Sequence, residues 1–200
     1  MTSTLTKSPI TSTLGTAEQK AVGIVLQDAL ADLIDLSLLG KQAHWNVVGP
    51  HFRALHLQLD ELVDAARGFV DAVAERAAAL GVSPDGRLAT VAATSGLPEF
   101  PAGYVADAEV VPAIVTTLDT AVRRMRERIE ATDTADPVTQ DLFIEITAEL
   151  EKQRWSAVDE ADASWDEPES PAAPAVIPAR AGSRRGGAHR MPAPPTALKG

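Results

Sequence analysis

The chain has 200 residues, a formal net charge of −10 and 45% hydrophobic residues. This length and composition are typical of one soluble globular domain with tails. The sequence contains no cysteine, which excludes disulfides, thiolate metal sites and cysteine nucleophiles.

The N-terminal part predicts a short tail followed by a long helix. Residues 1–15 carry a single lysine and no apolar run, so they do not resemble a secretory signal, and we expect a flexible tail on a cytoplasmic protein. Thr16 and Gln19 fit a capping box, and apolar residues then recur at helical spacing until the Gly-Pro pair at 49–50. The sequence therefore predicts helix A over residues 17–48.

The most apolar part of helix A, residues 21–40, is interrupted by acidic residues. Asp28, Asp32 and Asp35 recur at i, i+4 and i+7, a spacing that predicts one solvent-exposed helical face. Three charges in this stretch are incompatible with a membrane span. We expect no membrane association.

Three further helices are predicted after helix A. Helix B begins just after Pro50 and continues to Gly81. Residues 82–106 are rich in helix breakers, yet this is a long stretch for a connection without structure, so a short helix near 87–93 is expected inside it. Helix C carries an apolar stripe over residues 114–129, and the Asp-Pro pair at 136–137 supplies an N-cap and an N1 proline for helix D.

These elements predict an all-α four-helix bundle over residues 16–166, whose long B–C crossover carries the short helix. After Trp165 the composition changes to Pro, Ala, Gly and Arg, which predicts a disordered tail over residues 167–200. Residues 168–200 hold five basic residues and one acidic residue, a net charge of +4, which leaves −14 for residues 1–167. An acidic body therefore carries a basic tail.

Histidines and carboxylates cluster around the A–B junction. Three of the four histidines fall within thirteen residues, and two of them, His44 and His56, lie on predicted helices. Along helix B, the side chains of His56, Asp60, Asp71 and Glu75 lie at about 0°, 40°, 60° and 100° around the axis. These four residues therefore share one face.

The spacing along helix B decides how such a site is built. Asp60 and Asp71 are about 16 Å apart along the helix axis, so one ion cannot contact both the His56/Asp60 pair and the Asp71/Glu75 pair of one chain. If two copies of helix B pack antiparallel about a two-fold axis, each pair meets the other pair of the second chain. The sequence thus predicts an intersubunit site, to which His44 adds a second imidazole.

Two imidazoles with three carboxylates form a mixed nitrogen and oxygen donor set that suits iron, manganese or zinc. Iron is the redox-active choice among them. The same residues also have an ordinary interpretation, since a buried histidine is usually a hydrogen-bonded core residue and acidic residues at i and i+4 usually form a solvated helix face. Spacing alone leaves both interpretations open.

A family resemblance favours the metal site. The motifs that carry it are Lys41-Gln42-Ala43-His44-Trp45-Asn46, Gly49, Phe52, His56, Asp60, Asp71, Ala74-Glu75-Arg76, Thr94-Ser95-Gly96-Leu97-Pro98, Gln140-Asp141 and Trp155. With these motifs the chain resembles the Dps mini-ferritins over roughly residues 17–160, and both tails lie outside the resemblance.

The resemblance implies a ferritin-like fold and a homo-oligomeric shell of twelve subunits with a dinuclear ferroxidase site, holding two irons, at the two-fold interface. Its catalytic and metal-binding residues would be His44, His56 and Asp60 from one subunit and Asp71 and Glu75 from the partner. Hydrogen peroxide as oxidant and a ferric mineral inside the shell also follow from the resemblance. The expected function is iron oxidation and storage, which protects DNA from oxidative damage.

The surroundings of the site depart little from the family pattern. No histidine is preceded three residues earlier by glutamate, which excludes the intrachain Glu-x-x-His site of larger ferritin-like carboxylate proteins. His51 has no ligand counterpart in the family and is interpreted as a surface or capping residue. Trp45 and Trp155 are expected to pack beside the site, and Lys41 to contact a carboxylate or an oxygen species, with an interfacial salt bridge as the alternative.

Acidic residues around the C–D junction suggest a path for the cation. Glu130, Asp133, Asp136 and Asp141 are candidates to line a three-fold pore, because acidic rings concentrate cations. The alternative is an ordinary acidic loop with an N-cap.

A second hypothesis is a mainly DNA-binding, nucleoid-compacting protein. The acidic body repels phosphate, so DNA contact would come from the C-terminal tail, multiplied over many subunits. A flexible, solubilising tail is the alternative, and a shell that binds metal poorly is a third possibility. The candidate DNA contacts are Arg180, Arg184, Arg185, Arg190 and Lys199.

Overall fold

The computed structural model describes residues 8–164, with side chains described for residues 8–159. Within this part of the chain the all-α prediction is confirmed, including the short helix inside the long connection. The predicted tail at residues 167–200 lies outside the described residues. The elements in chain order are α1 (Thr16–Asn46), β1 (Val47–Val48), α2 (Phe52–Ala79), α3 (Leu88–Thr94), β2 (Val105–Ala106), α4 (Asp107–Thr132) and α5 (Pro137–Ser164).

The four long helices pack as two hairpins that share one core. Helix α1 lies along α2 and α4 lies along α5, while α1 also contacts α4 and α2 contacts α5. Leu26 and Leu36 of α1, Leu118 of α4 and Phe143 of α5 are all less than 2% exposed. None of the helices within residues 8–164 combines the length and the apolar character needed to cross a membrane.

The end of the first helix differs from the prediction. Helix A was expected to reach residue 48, but α1 ends at Asn46 and β1 pairs in parallel with β2, Val47 opposite Val105 and Val48 opposite Ala106. Two consecutive β-branched residues ahead of a Gly-Pro pair favour an extended backbone over another helical turn. The strand pair ties the α1–α2 turn to the end of the crossover.

The predicted capping box at the start of α1 is wrong. Gly15 occupies the N-cap position, and no side chain caps the helix. The Gln19 amide instead donates a hydrogen bond of 2.6 Å to the carbonyl of Leu80, at the end of α2. Gly81 follows with a positive φ of 77°, the left-handed conformation that commonly closes a helix. Gln19 thus contributes to hairpin packing rather than to capping.

The prediction of a solvent-exposed aspartate face on α1 is wrong for Asp32, which is only 2% exposed. Its carboxylate accepts hydrogen bonds from Arg124 and Arg128 of α4 and from the backbone N–H of Gly96, at the end of the crossover's short helix. Burial acts to raise the pKa of Asp32, but these hydrogen bonds outweigh it and hold the pKa below the ordinary 3.8. Asp28 is 45% exposed and shares both arginines.

Asp32→Asn should lower the free energy of unfolding by about 3 kcal/mol near neutral pH, because the buried Arg128 keeps only the half-exposed Asp28 as an anionic partner. A folded-state pKa below the unfolded value stabilises the fold above that unfolded value, near 3.8, and the effect is lost as the pH falls through the lowered pKa. The difference between the two proteins should therefore shrink in acid.

Urea unfolding at one protein concentration, at about pH 6 and about pH 3, measures this difference. Asp119→Asn is a matched control, since Asp119 of α4 forms an exposed ion pair with Arg154 of α5. A deficit for Asp32→Asn as large at the lower pH as at the higher one would contradict the interpretation.

Candidate metal centre

Three of the five predicted ligands come together in one chain. His44 lies in the last turn of α1, while His56 and Asp60 lie one turn apart near the start of α2. Each of the three offers a ligand atom, and these atoms lie within 4.8 Å of one another. His44 is buried and the other two are partly exposed. The cluster is therefore open to solvent on one side.

The two imidazoles are held by reciprocal hydrogen bonds. Nδ1 of His44 lies 3.0 Å from the carbonyl oxygen of His56, and Nδ1 of His56 lies 3.1 Å from the carbonyl oxygen of His44. The rings stack with their centroids 3.5 Å apart. A carbonyl can only accept, so both Nδ1 atoms donate, and in the neutral form of each ring the lone pair is on Nε2. This is the tautomer that a metal-ligating histidine needs.

Asp60 is held as a carboxylate beside the imidazoles. Nζ of Lys41 donates a hydrogen bond to Oδ1 of Asp60, and Nδ1 of His44 lies 3.3 Å from the same oxygen. The hydrogen bond from Lys41 lowers the pKa of Asp60, against a smaller opposing effect of burial. The expected contact of Lys41 with a carboxylate is present, and the carboxylate is a candidate ligand.

The other two predicted ligands do not join this cluster. Asp71 and Glu75 are exposed on the later part of α2. Helical rise separates Asp71 from Asp60 by about 16 Å along the axis. One chain therefore presents the predicted ligand set in two separate parts. The first is the cluster of His44, His56 and Asp60, which we call the half-site, and the second is Asp71 with Glu75 further along α2.

Several large apolar side chains near the imidazole cluster are uncovered. The ring of Phe52 lies 4.9 Å from that of His56, and Phe52 is 43% exposed. Trp45, next to His44, is 68% exposed, and Tyr104, next to the strand that pairs with Val47, is 82% exposed. Trp155, also expected beside the site, is 65% exposed. In the single chain the indole rings of Trp45 and Trp155 are both exposed to solvent.

A residue that sequence reasoning missed holds the turn between the two histidines. The Asp107 carboxylate accepts hydrogen bonds of 2.9 Å from the backbone N–H groups of His51 and Ala108. His51 occupies the N-cap position of α2, but its side chain makes no capping hydrogen bond, and its contact with Asp107 is made by the backbone N–H. Only the Asp-Ala pair at the start of a helix hints at this contact in the sequence.

The acidic residues at the C–D junction have different environments. Asp133 and Asp141 are exposed, as is Glu130. Asp136 is only 3% exposed, and its carboxylate accepts a hydrogen bond of 2.5 Å from Arg76, the neighbour of Glu75. A pore lined by Asp133, Asp136 and Asp141 stays a prediction. The basic residues between 168 and 200, the candidate DNA contacts, lie outside the described residues.

Comparison with known proteins places these features in a family context. The model of the ferritin-like domain matches residues 25–162. DNA protection during starvation protein 2 of Deinococcus radiodurans is 38% identical over 141 residues, which are 70% of this chain and 58% of that protein. The chain therefore spans less than two thirds of that relative's length.

Other relatives are covered more completely. The DNA protection during starvation protein of Agrobacterium fabrum is 34% identical over 140 residues, 70% of this chain and 86% of that protein. The tetragonal crystal form of Mycobacterium smegmatis Dps has a TM-score of 0.72 at 32% identity, covering 74% of this chain and 91% of that one. The similarity therefore extends over most of the length of these two relatives.

The ammonium group of Lys41 competes with any cation for the Asp60 carboxylate. Lys41→Met should therefore tighten binding of Co(II) roughly tenfold, because a nearby positive charge is removed and the carboxylate is released. A Co(II) titration followed by visible absorption measures this affinity. Lys152→Met, which removes an exposed ion pair with Glu149, is the control and should bind as the native chain does. Unchanged or weaker binding by Lys41→Met would count against the assignment of Asp60 as a ligand.

Proposed function

The chain belongs to the Dps family of ferritin-like proteins, and from this premise we propose that it oxidises ferrous iron at sites shared between two subunits. The ferric product is stored inside a hollow homo-oligomer, for which we propose twelve subunits. The observation that carries the proposal is the cluster of His44, His56 and Asp60, whose ligand atoms lie within 4.8 Å of one another while the Nδ1 atoms of both imidazoles are occupied by reciprocal hydrogen bonds.

A second subunit completes the ligand set. Iron bound by two imidazoles and one carboxylate lacks the further oxygen ligands that ferric iron prefers. Asp71 and Glu75, exposed on the same helix, supply them when two copies of α2 pack antiparallel about a two-fold axis. Each such pair of subunits then contains two equivalent sites with two imidazoles and three carboxylates.

Uncovered aromatic side chains support this association. Trp45, Phe52 and Tyr104 are between 43% and 82% exposed around the half-site. Apolar groups of this size in water favour burial against another surface, and large aromatics are enriched at interfaces. A second copy that brings Asp71 and Glu75 to the site also covers these side chains.

In the proposed reaction, iron is the substrate. Two ferrous ions each give one electron to hydrogen peroxide, the O–O bond breaks, and with two waters the products are two FeO(OH) units and four protons. Both electrons enter one peroxide molecule, so no hydroxyl radical is released. The three carboxylates favour the harder ferric product over the ferrous substrate. Removing ferrous iron and peroxide protects DNA without requiring contact with it, and we place this activity in the cytoplasm.

Iron needs a route into the shell. We propose that the exposed Asp133 and Asp141 line a three-fold pore, since rings of carboxylates concentrate cations. Asp136, whose carboxylate is engaged by Arg76, then acts by fixing the start of α5 at the rim of this pore.

Asp71→Asn/Glu75→Gln should abolish the catalysed oxidation of Fe(II) by hydrogen peroxide under anaerobic conditions, because the half-site on the other subunit loses the two carboxylates that its partner supplies. The native chain is expected to consume about one peroxide per two irons, since peroxide accepts two electrons. Equal rates for the native chain, the variant and a protein-free control would refute the ferroxidase proposal.

A subunit-mixing experiment tests whether the site is shared. His44→Ala/His56→Ala chains and Asp71→Asn/Glu75→Gln chains are each expected to be inactive. Co-expressed in equal amounts, half of the two-fold pairs are hybrid, and each hybrid holds one intact site of two, so about a quarter of the native activity should return. No recovery in mixed assemblies would contradict a shared site.

DNA binding is the second candidate function, favoured by the charge of residues 168–200, +4 on a body of −14. Truncation after residue 167 should abolish gel retardation of duplex DNA, and retardation by the full chain should weaken with salt as counterions compete. A full-length variant with glutamine at all five basic positions separates charge from tail length and should behave like the truncation. Retardation unchanged by either alteration would exclude a tail-borne DNA contact.

A further inference from the structure

The turn between His44 and His56 is held by a carboxylate from a different part of the chain. Asp107, the first residue of α4, is 9% exposed. One of its oxygens accepts a hydrogen bond from the backbone N–H of His51, and the other accepts one from the backbone N–H of Ala108, both at 2.9 Å. One carboxylate thus joins the starts of α2 and α4.

The backbone of the α1–α2 turn leaves room for this carboxylate at Gly49. Gly49 has a φ of +140°, and a Cβ at this position would collide with the Asp107 carboxyl group. The parallel pairing of Val47 with Val105 and Val48 with Ala106 brings the two segments side by side immediately before the contact. The strand pairing and the hydrogen bond to Asp107 therefore both fix the backbone of the turn between α1 and α2.

The geometry of the turn sets the geometry of the imidazoles. His44 lies three residues before β1, and His56 lies five residues after the N–H that Asp107 accepts. Their reciprocal hydrogen bonds run from each ring to the backbone of the other helix, so they form only when the end of α1 and the start of α2 keep one relative position.

We propose that Asp107 is a positioning residue of the iron half-site, which fixes the α1–α2 turn and thereby the spacing of the two ligating imidazoles. This inference rests on the proposed function for the identity of the ion, but not for the effect on metal binding. Asp107 does not itself contact the metal. It acts through the backbone of His51 and of the turn.

Both oxygens of the side chain are needed. Two N–H donors face the Asp107 carboxylate, one for each oxygen. An asparagine has a single acceptor oxygen, so its amide NH2 would oppose one of the two N–H groups and that contact would be lost. Asp107→Asn therefore removes the charge and one of the two contacts, which weakens the hold on the turn with almost no change in side-chain volume. Gly49→Ala displaces the same carboxylate without removing its charge.

The test is Co(II) binding to the assembled full-length protein, followed by visible absorption. Asp107→Asn and Gly49→Ala should each bind about tenfold more weakly, the usual effect of losing an orienting contact behind a metal ligand. In Fe(II) oxidation, the iron concentration for half-maximal rate should rise by a similar factor, with a smaller change in the maximal rate. Asp119→Asn makes the same chemical change at an exposed ion pair of α4 and should bind as the native chain does.

Co(II) affinity equal to the native value in folded Asp107→Asn or Gly49→Ala would overturn the inference, even if these variants unfold at lower temperature. A native chain that binds Co(II) but does not oxidise iron refutes the proposed function and leaves the positioning role standing.

Amide hydrogen exchange in the native chain tests, without any variant, whether the α1–α2 turn and the metal site are coupled. If the turn positions the ligands, binding of Zn(II) must slow exchange of the His51 amide, because the coupling between the two sites is reciprocal. An exchange rate of the His51 amide that does not change when Zn(II) binds would overturn the inference.

Discussion

The half-site depends on the exchange of hydrogen bonds between His44 and His56. Each ring donates to a carbonyl of the other helix, so the two histidines lock the end of α1 to the start of α2 and lock each other's tautomer. The carbonyl of His44 has a free lone pair because it lies in the last turn, where no later residue completes the helical bond. Had the helix continued to residue 48, that acceptor would have been occupied.

Charge is distributed in this chain according to burial. The buried carboxylate of Asp32 is matched by two arginines, and that of Asp136 by one. Asp71, Glu75, Asp133 and Asp141 are exposed, and none forms an ion pair within the described residues. Carboxylates that stabilise the fold are thus separated from carboxylates that remain free for cations.

Much of the fold could be predicted from the sequence because helices and their punctuation are local. The apolar stripes and the Asp-Pro pair at 136–137 placed the helices within a few residues of those observed, except that α4 begins at Asp107, seven residues before the apolar stripe of helix C. Two failures involve contacts between distant segments. Asp32 resembled a solvated residue because its arginine partners lie on α4, and Gln19 matched a capping motif while its amide binds the end of α2.

The site shows the same contrast between features set by local spacing and features set by contacts between distant segments. Helical periodicity was sufficient to group His56 with Asp60, and the position of His44 at the end of its helix brought it to them. The sequence left open whether Lys41 contacts a carboxylate or an oxygen species at the site or forms an interfacial salt bridge, because a long, flexible side chain can reach several partners. Asp107 was missed because its partners are backbone N–H groups, which leave no trace in residue identity. The arrangement of Asp71 and Glu75 against a partner subunit remains a prediction.

The contact between Gly49 and Asp107 has a consequence for how such sequences diverge. The glycine leaves room for the carboxylate, and the carboxylate holds the conformation that only glycine readily adopts, so neither position can drift alone. Positions 49 and 107, far apart in the chain, should therefore covary. Insertions in the crossover between α2 and α4 should be tolerated only before β2, because residues added after it would displace Asp107 from the turn. The connection between the two hairpins is therefore expected to be constrained in sequence where it meets α4, although it contributes no metal ligand.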